Sequence, residues 1–220
     1  MIKILAIGAH PDDIELRMFG TLFLEKEKGV ILKAVVVTDG SKGGEKPGLE
    51  LKLQRVVEAI KGLRPLEIEP EFLEFVDGEL CVDESLTQAL LKCINEFTPD
   101  IVMTHSSTDY HNDHSVVSKV VSEIVKGKCA FLSVKPFNGG VFYPTHFFDI
   151  SCAVDVKEEA VLKHKSQNPG NFIKLLRDEN YEWCSNNEDS IQKVLELFEL
   201  GACNKDFNGL LELLGFKKLG

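Results

Sequence analysis

The stretch ILAIGAHPDDIEL, residues 4–16, joins an apolar run to a cluster of ionisable side chains. The run ILAIGA is short, continuous and rich in aliphatic residues, which is typical of a strand that is buried on both faces. It ends at His10, Pro11, Asp12 and Asp13, where a helical pattern begins. The stretch therefore predicts the first strand and crossover of a parallel sheet, with three ionisable groups placed where the strand ends.

The same alternation continues through the first half of the chain. The predicted strands are KILAIGA (3–9), ILKAVVVTDG (31–40), EFLEFV (71–76) and DIVMTH (100–105). The predicted helices are IELRMFGTLFLEKEKG (14–29), LELKLQRVVEAIKGL (49–63), ESLTQALLKCINEF (84–97, with Asp83 or Glu84 near its cap) and HSVVSKVVSEIVKG (114–127). The apolar face of the second of these helices comprises Leu49, Leu53, Val56, Val57, Ile60 and Leu63. Strands that alternate with amphipathic helices predict an α/β fold, a Rossmann-like three-layer sandwich with a mostly parallel sheet.

The pattern is less regular after residue 128. We predict strands in CAFLSV (129–134), GGVFYP (139–144) and FFDISCAV (147–154), helices in VKEEAVLKHKSQ (156–167) and SIQKVLELFEL (190–200), and polar loops in KSQNPGN (165–171) and CSNNEDS (184–190). The C-terminal stretch NGLLELLGFKKLG (208–220) is apolar enough for either a docking helix or a subunit contact, so a homo-oligomer stays open. No repeat or long linker divides residues 1–220, which predicts a single domain.

Composition excludes several classes of partner. The chain has 220 residues, a net charge of −10 and no block of Lys and Arg, which argues against a nucleic acid. It has neither a signal-peptide pattern nor an apolar run long enough to span a membrane, and its six cysteines form no C-x-x-C pair. We therefore expect a cytoplasmic enzyme that acts on a small molecule.

A second polar cluster, THSSTDYHNDH at residues 104–114, follows the strand DIVMTH. The carboxyl ends of parallel strands share one edge of the sheet, so this cluster is expected beside residues 10–13. His10 and Asp13 are three residues apart across a turn that Pro11 fixes, and both can reach one cation. With His114 they form a set of two imidazoles and one carboxylate that leaves a position open for water, as catalytic zinc sites do.

Asp12 and His111 remain in these clusters without a place in the predicted ligand set. A metal-bound water that attacks a carbonyl needs one base and one acid, and these two side chains match that need. The remaining histidines, His105, His146 and His164, are expected to be structural or peripheral. The glycines of TDGSKGG (38–44) are expected to shape a loop beside the site, because no Walker-type G-K-[ST] follows them.

Three other interpretations of the clusters stay open. Taken alone, H-P-D-D is also compatible with a helix cap and a surface carboxylate, and H-x-x-H with two solvated histidines. Two histidines and one carboxylate also form the facial triad of non-haem iron oxygenases, although those sites do not require an adjacent acid and base. A non-catalytic module that binds a sugar or a metal is the third alternative, but such a module has no use for Asp12.

The motifs AHPDDIEL (9–16) and YHNDHS (110–115) resemble the A-H-P-D-D and H-x-D-H pair of the LmbE/PIG-L family of metal-dependent N-acetylglucosaminyl deacetylases. Weaker similarities extend through TDGSKGG, RVVE (55–58), FVDGEL (75–80) and HKSQ (164–167). The resemblance implies one Zn²⁺ per chain, held by His10, Asp13 and His114.

The resemblance also implies roles for neighbouring residues. It assigns Asp12 as general base and His111 as general acid, with Asp113 orienting His111, and Arg55 as a contact to the substrate. Removal of the acetyl group from an N-acetylglucosamine-type conjugate, with release of acetate and an amino sugar, is the expected reaction. Arg17, Met18 and Phe19 depart from the family's Gly-rich run at this point.

Overall fold

The structure is a computed structural model that describes residues 1–136, 140–185, 193–201 and 207–219. Within these residues one sheet of eight strands has the order β3-β2-β1-β4-β5-β7-β6-β8. The strands are β1 Lys3–Gly8, β2 Ile31–Thr38, β3 Glu71–Phe75, β4 Ile101–Thr104, β5 Ala130–Val134, β6 His146–Asp149, β7 Leu195–Leu200 and β8 Lys217–Lys218. The α-helices are α1 Asp13–Arg17, α2 Phe19–Glu27, α3 Leu49–Leu63, α4 Glu84–Phe97, α5 Asn112–Val125, α6 Val154–Val161, α7 Pro169–Ser185 and α8 Asn208–Leu214.

The first five strands are mutually parallel, which confirms the predicted α/β fold. The order β3-β2-β1-β4 reverses direction beside β1, so the carboxyl ends of β1 and β4 border the crevice where ligands bind in such sheets. One layer of the core includes Phe19 and Leu63 from α2 and α3, and the opposite layer includes Leu90 and Val117 from α4 and α5. The chain is thus a three-layer sandwich, as predicted.

The prediction of a helix over residues 190–200 is wrong for the part that the structure describes. Residues 195–200 form β7, which lies between β5 and β6 and is antiparallel to both. Glu196 and Phe198 are buried while Leu195 and Leu197 are only partly buried, so burial follows the period of a strand. Residues 190–192 of this prediction, and residues 186–190 of the predicted loop CSNNEDS, lie outside the described residues.

Two further predictions after residue 128 are wrong. The described part of GGVFYP, residues 140–144, has no regular secondary structure, and Gly139 lies outside the described residues. The segment KSQNPGN is not a loop throughout, because α7 begins at Pro169 and continues for 17 residues. Proline is tolerated at the first position of a helix, where its missing N–H needs no partner. The Asn-Pro-Gly sequence therefore marks the start of a helix here.

The helix predicted over residues 14–29 is divided into α1 and α2 by Met18, whose φ of −128° is not helical. Both Met18 and Phe19 are fully buried, so the break turns two large apolar side chains into the core. Gly20 then lies so close to Ile150 that an added Cβ would fall 2.7 Å from its side chain. The predicted continuous helix is therefore wrong at Met18, where the chain bends and packs closely against Ile150.

The apolar face of α3 does not cover the core, although such a face normally does. Leu51, Ala59 and Leu63 are buried, together with Arg55 and Glu58. Most of the apolar stripe is exposed to solvent instead: Leu49, Leu53, Val57 and Ile60. The helix is oriented by contacts of its polar side chains, which are described below.

The C-terminal helix α8 packs against its own chain. Leu211 and Leu214 are buried in the core together with Phe216, which follows the helix. Of the two alternatives for this stretch, the described residues therefore form a docking helix. None of the helices in the described ranges is long and apolar enough to cross a membrane.

Candidate metal centre

The first cluster is fixed by hydrogen bonds at the end of β1. Asp13 begins α1, and its Oδ2 accepts the backbone N–H of His10 at 2.6 Å. The N–H groups of Asp12 and Asp13 in turn donate to the carbonyl of His10. This tight turn places the side chains of His10 and Asp13 on the same side, as the spacing around Pro11 predicts.

The second cluster lies at the start of α5, after β4. His111 is the N-cap residue of α5 and His114 lies in its first turn. The ring of His111 is 4.6 Å from that of His10 and 4.7 Å from that of His114, measured between ring centroids. The two clusters, about 100 residues apart in sequence, therefore form a single site.

Potential ligand atoms of three residues, His10, Asp13 and His114, lie close to one another. His10 Nδ1 lies 3.1 Å from His114 Nε2 and 3.5 Å from Asp13 Oδ2. His114 Nε2 lies 3.4 Å from Asp13 Oδ1. Bonds of about 2.0–2.1 Å to a tetrahedral zinc ion would place neighbouring ligand atoms roughly 3.3 Å apart. The spacing and chemistry of these donors therefore fit a zinc ion.

Other combinations of ligands are close enough to be considered. His10, His111 and His114 form one group whose donor atoms lie within 4.8 Å of each other, and Asp13, His105 and His114 form another. His105 Nε2 also accepts the backbone N–H of Ala9 at 2.9 Å, which engages its lone pair. We therefore regard His105 as a neighbour of the site, and His111 as a group on its exposed side.

Two carboxylates hold the far side of the His10 ring. His10 Nε2 lies 3.1 Å from Asp77 Oδ1 and 3.3 Å from Asp113 Oδ2. Asp113 also accepts the backbone N–H groups of Gly78 and Leu80. A metal-binding histidine is commonly oriented by a carboxylate in this way. Asp113 thus contacts His10, and not His111 as the family resemblance implies, because the backbone of residues 78–80 draws its side chain inward.

Two carboxylates that orient the histidines, those of Asp77 and Asp109, were not among the predicted site residues. Asp77 follows β3, and its position after a third strand end is a signal that the sequence offers within FVDGEL. Asp109 lies in THSSTDYHNDH, and its Oδ2 is 2.9 Å from His114 Nδ1. Asp109 thus orients His114 as Asp77 and Asp113 orient His10.

Arg55 lies at the predicted edge of the sheet, but its guanidinium is buried. Its Nη2 donates to Asp12 Oδ1 at 3.0 Å and to the carbonyl of Pro11 at 3.3 Å, while Nη1 donates to the carbonyl of Gly40. Glu58 lies one turn further along α3 and forms no ion pair with Arg55 among the described contacts, because it accepts hydrogen bonds from Gln54 and Ser166. Arg55 thus holds the carboxylate of Asp12, the predicted general base, in one orientation.

Glycines of the loop TDGSKGG make room for this arginine. A Cβ on Gly43 would collide with Arg55 Nη1, and a Cβ on Gly40 would lie 3.0 Å from Arg55 Nε. Gly40 also has a φ of +64°, which a glycine adopts without strain. The loop therefore shapes the wall of the site, as the sequence predicts.

The carboxylates of the motif have opposite pKa shifts. Burial raises the pKa of Asp12, and the charge of Arg55 only partly offsets this effect. Burial alone would also raise the pKa of Asp13, but His114 and His105 outweigh it and hold that pKa well below its usual range. Asp13 is therefore ionised, as a metal ligand must be.

The histidines of the site also differ in the direction of their pKa shifts. Burial lowers the pKa of His105 to about 4, with the neighbouring His114 acting in the same direction. Burial opposes the protonation of His114 too, but Asp13 and Asp109 raise its pKa to about 9. For His10, three aspartates outweigh burial and hold the pKa well above its ordinary value. A bound cation would compete with these protons for the same nitrogen atoms.

The site opens into a cleft with a volume of about 430 Å³. Its lining includes the side chains of both clusters together with Leu16, Gly43, Tyr110, Gln167 and Phe172. Gly43 and Gln167 also line a more open cleft of about 900 Å³, which extends between the TDGSKGG loop and the start of α7. Volumes of this order accommodate small organic ligands.

Known proteins are similar to this chain in sequence and in fold. The sequence model of the PIG-L family, described as GlcNAc-PI de-N-acetylase, matches residues 5–125. The chain belongs to the PIG-L family. The diacetylchitobiose deacetylase of Thermococcus kodakarensis is 29% identical over 198 residues, which cover 79% of this chain and 73% of that protein.

Two solved structures show the same fold as this PIG-L protein. The N,N′-diacetylchitobiose deacetylase of Pyrococcus horikoshii has a TM-score of 0.79 and 22% identity, covering 94% of this chain and 88% of its own. GalB, the 4-carboxy-2-hydroxymuconate hydratase of Pseudomonas putida KT2440, has a TM-score of 0.77 and 20% identity, covering 94% and 99%. Membership of the PIG-L family confirms the resemblance and the predicted class of enzyme, a hydrolase of N-acetyl amide bonds.

Proposed function

We propose that this PIG-L protein is a zinc-dependent deacetylase that removes the N-acetyl group from an N-acetylglucosamine-type sugar conjugate. The products are acetate and the conjugate of the free amino sugar. The convergence of His10, Asp13 and His114 on one point at the base of an open cleft is the observation that carries this proposal. The family match and the diacetylchitobiose deacetylases support the same chemistry.

His10, Asp13 and His114 would hold one divalent ion, for which zinc fits the donor set. When bound, such an ion supplies a Lewis acid that polarises the acetamide carbonyl and lowers the pKa of water. Asp77, Asp113 and Asp109 would keep the two imidazoles in orientation, since they contact the ring nitrogens that face away from the shared point.

Asp12 acts as the general base in this proposal. Its carboxylate lines the cleft and takes a proton from the attacking water. Arg55 leaves Asp12 one fixed orientation, because it donates to the side chain of Asp12 and to the backbone of Pro11. We therefore assign Arg55 to the positioning of Asp12 instead of the substrate contact that the resemblance implies.

His111 acts as the general acid. Its ring is exposed to the cleft, beside both histidine ligands, and it delivers a proton to the amide nitrogen as the C–N bond breaks. The amine then leaves as a neutral group, and acetate retains the oxygen of the attacking water. Acetic acid loses its hydroxyl proton to solvent to give acetate. Asp12 returns its proton to solvent and His111 regains one from solvent, which restores the base and the acid for the next turnover.

The two adjoining clefts support a conjugate as the substrate. The inner cleft takes the acetamide at the metal centre, and the outer cleft continues beyond Gly43 and Gln167. The outer lining is polar and includes both acidic and basic residues: Glu45, Lys46, Glu50, Gln54, Lys165, Ser166 and Asn168. A hydrophilic group attached to the sugar matches this lining. Cys81, Cys93, Cys152 and Cys184 carry free thiols, which favours the reducing cytoplasm. Cys203 lies outside the described residues.

Acetate release tests this proposal. Purified protein is depleted of metal, reconstituted separately with Zn²⁺ or Fe²⁺, and offered free N-acetylglucosamine, its disaccharides and its polar conjugates. We expect one equivalent of acetate per amino group, roughly one metal ion per chain, and loss of activity on chelation. Oxygen uptake by the Fe²⁺ form without acetate release would favour an oxygenase. Undiminished acetate release after verified metal removal, or no acetate from any substrate, would contradict the proposal.

A further inference from the structure

The exposed face of α3 is a continuous apolar stripe. Leu49, Leu53, Val57 and Ile60 recur at intervals of three or four residues, and 70%, 57%, 47% and 44% of their respective surfaces are exposed. Residues at this spacing lie above one another on the same side of a helix. The stripe therefore extends along most of α3, which with 15 residues is roughly 22 Å long.

The opposite face of α3 explains why this stripe cannot turn inward. Arg55 reaches Asp12 at the metal centre, and Glu58 accepts hydrogen bonds from the backbone N–H and hydroxyl of Ser166. Rotation of the helix to bury the stripe would expose both contacts. The contacts of the site thus leave four large apolar side chains on the outside, where a second apolar surface would cover them.

Charged residues flank the stripe in an asymmetric way. Glu50 lies beside its first turn and Lys61 beside its last, and both are exposed. Eleven residues separate them, about three full turns, so they lie on the same flank of the helix. Neither forms an ion pair within the part of the chain that the structure describes. One flank of the stripe thus begins with an unpaired negative charge and ends with an unpaired positive charge.

We propose that this stripe pairs with the stripe of a second copy of the chain, with the two α3 helices antiparallel about a two-fold axis. This arrangement places Leu49 opposite Ile60 of the second copy and Leu53 opposite Val57 of the second copy. A two-fold axis perpendicular to both helices keeps each flank on its own side, so Glu50 meets Lys61 of the second copy. The same ion pair forms twice, which is the self-complementarity that a two-fold dimer requires.

The area available sets the expected strength of the dimer. A stable interface buries about 800 Å² on each partner, and one helix of this length supplies only part of that area. We therefore expect a dimer that dissociates in the micromolar range. Glu50 also lines the outer cleft, so the second copy would bring Lys61 to the edge of the region where we place the conjugate.

Sedimentation velocity of the zinc-loaded chain over a hundredfold range of concentration tests whether the stripe mediates dimerisation. We expect the sedimentation coefficient to rise from the monomer value to the dimer value, and Leu53→Glu to remain monomeric throughout. Leu213→Glu is the matched control, because Leu213 is 76% exposed on α8, away from the stripe. A monomer at every concentration, or a dimer that Leu53→Glu leaves intact, would overturn the proposal.

Charge exchange tests the antiparallel arrangement. Glu50→Lys and Lys61→Glu should each weaken dimerisation at least tenfold, because like charges then meet at both ends of the interface. The double variant restores two opposite pairs and should recover most of the affinity. Thermal unfolding and circular dichroism report whether each variant is folded. Independent, additive losses in the double variant would exclude the antiparallel pairing.

Discussion

The chain before residue 126 and the chain after it contribute differently to the site. The first part provides every side chain to which we assign the metal or a proton transfer. The second part contacts the first through polar groups that are buried, His164 with Glu15 and Glu196 with the backbone N–H groups of Gly20 and Thr21, or partly buried, Ser166 with Glu58. The second part thus adds Gln167 and Phe172 to the wall of the cleft and contacts the elements that carry the catalytic side chains.

Breaking one of these connections should have the largest effect on stability. Glu15 and His164 are both 1% exposed and lie 2.8 Å apart. Glu15→Ala would leave the buried imidazole without its carboxylate, and loss of one partner of a buried pair costs about 3–5 kcal/mol. Urea unfolding of the variant should therefore give a free energy of unfolding lower by this amount.

The exposed pair Lys174–Asp178 provides the control for this prediction. Their side chains are 78% and 61% exposed, so the variant Lys174→Ala should change the free energy of unfolding by less than about 1 kcal/mol. Equal losses in Lys174→Ala and Glu15→Ala would show that the buried connection has no special role.

The second prediction concerns the catalytic groups of the first part. Asp12→Asn and His111→Ala should each lower kcat at least roughly a hundredfold, the effect of losing a general base or acid. Metal content should stay near one ion per chain, because neither side chain belongs to the proposed ligand set. Metal analysis beside the acetate assay checks both quantities. If Asp12→Asn empties the site, Asp12 is itself a ligand.

The sequence predicted the first part of the fold well because two simple signals coincide there. Strands buried on both faces appear as continuous apolar runs, and each is followed by an amphipathic crossover. The rule that ligands bind at the carboxyl ends of such strands then brought residues 10–13 and 104–114 together. Asp77 follows the same rule, but one aspartate in a polar loop gives a weak signal without its neighbours.

Predictions failed where tertiary contacts outweigh local pattern. The strand β7 has only six residues, LELFEL, so its period of two is a weak signal. A helical spacing of i, i+3, i+4 and i+7 also runs through the predicted segment, at Ile191, Val194, Leu195 and Phe198. Most of the apolar face predicted for α3 is exposed because Arg55 and Glu58 are held inward by partners that are distant in sequence. Asp113 likewise turns to His10 because two backbone N–H groups near β3 attract it. Such contacts cannot be read from spacing.

A third prediction distinguishes the two roles considered for Arg55. If Arg55 positions Asp12, Arg55→Ala should lower kcat by roughly ten- to a hundredfold with little change in KM, since a misplaced base affects the chemical step. Arg55→Lys retains the charge and should recover part of kcat. A strong rise in KM for conjugates alone, with kcat unchanged, would restore the substrate contact that the family resemblance implies.

The variant with the smallest expected effect, Gln167→Ala, tests whether the second part of the chain contacts the substrate. Gln167 and Phe172 line the cleft, and Gln167 is the side chain that the inner and outer clefts share. We expect Gln167→Ala to remove one hydrogen bond to the group attached to the sugar, a loss of about 0.5–1.5 kcal/mol, or roughly two- to tenfold in KM. The free sugar does not reach the outer cleft, so its KM should change less, and kcat should stay near normal for both.

The control for this measurement is Gln88→Ala, because the exposed side chain of Gln88 donates to Glu84 on the surface of α4, outside the lining of both clefts. An equal change in KM for free and conjugated sugar in Gln167→Ala would move the attached group away from the outer cleft. A fall in kcat with metal content unchanged would instead bring Gln167 to the reacting atoms. In that case the second part of the chain would take part in the chemistry, and the division of labour between the two parts would no longer hold.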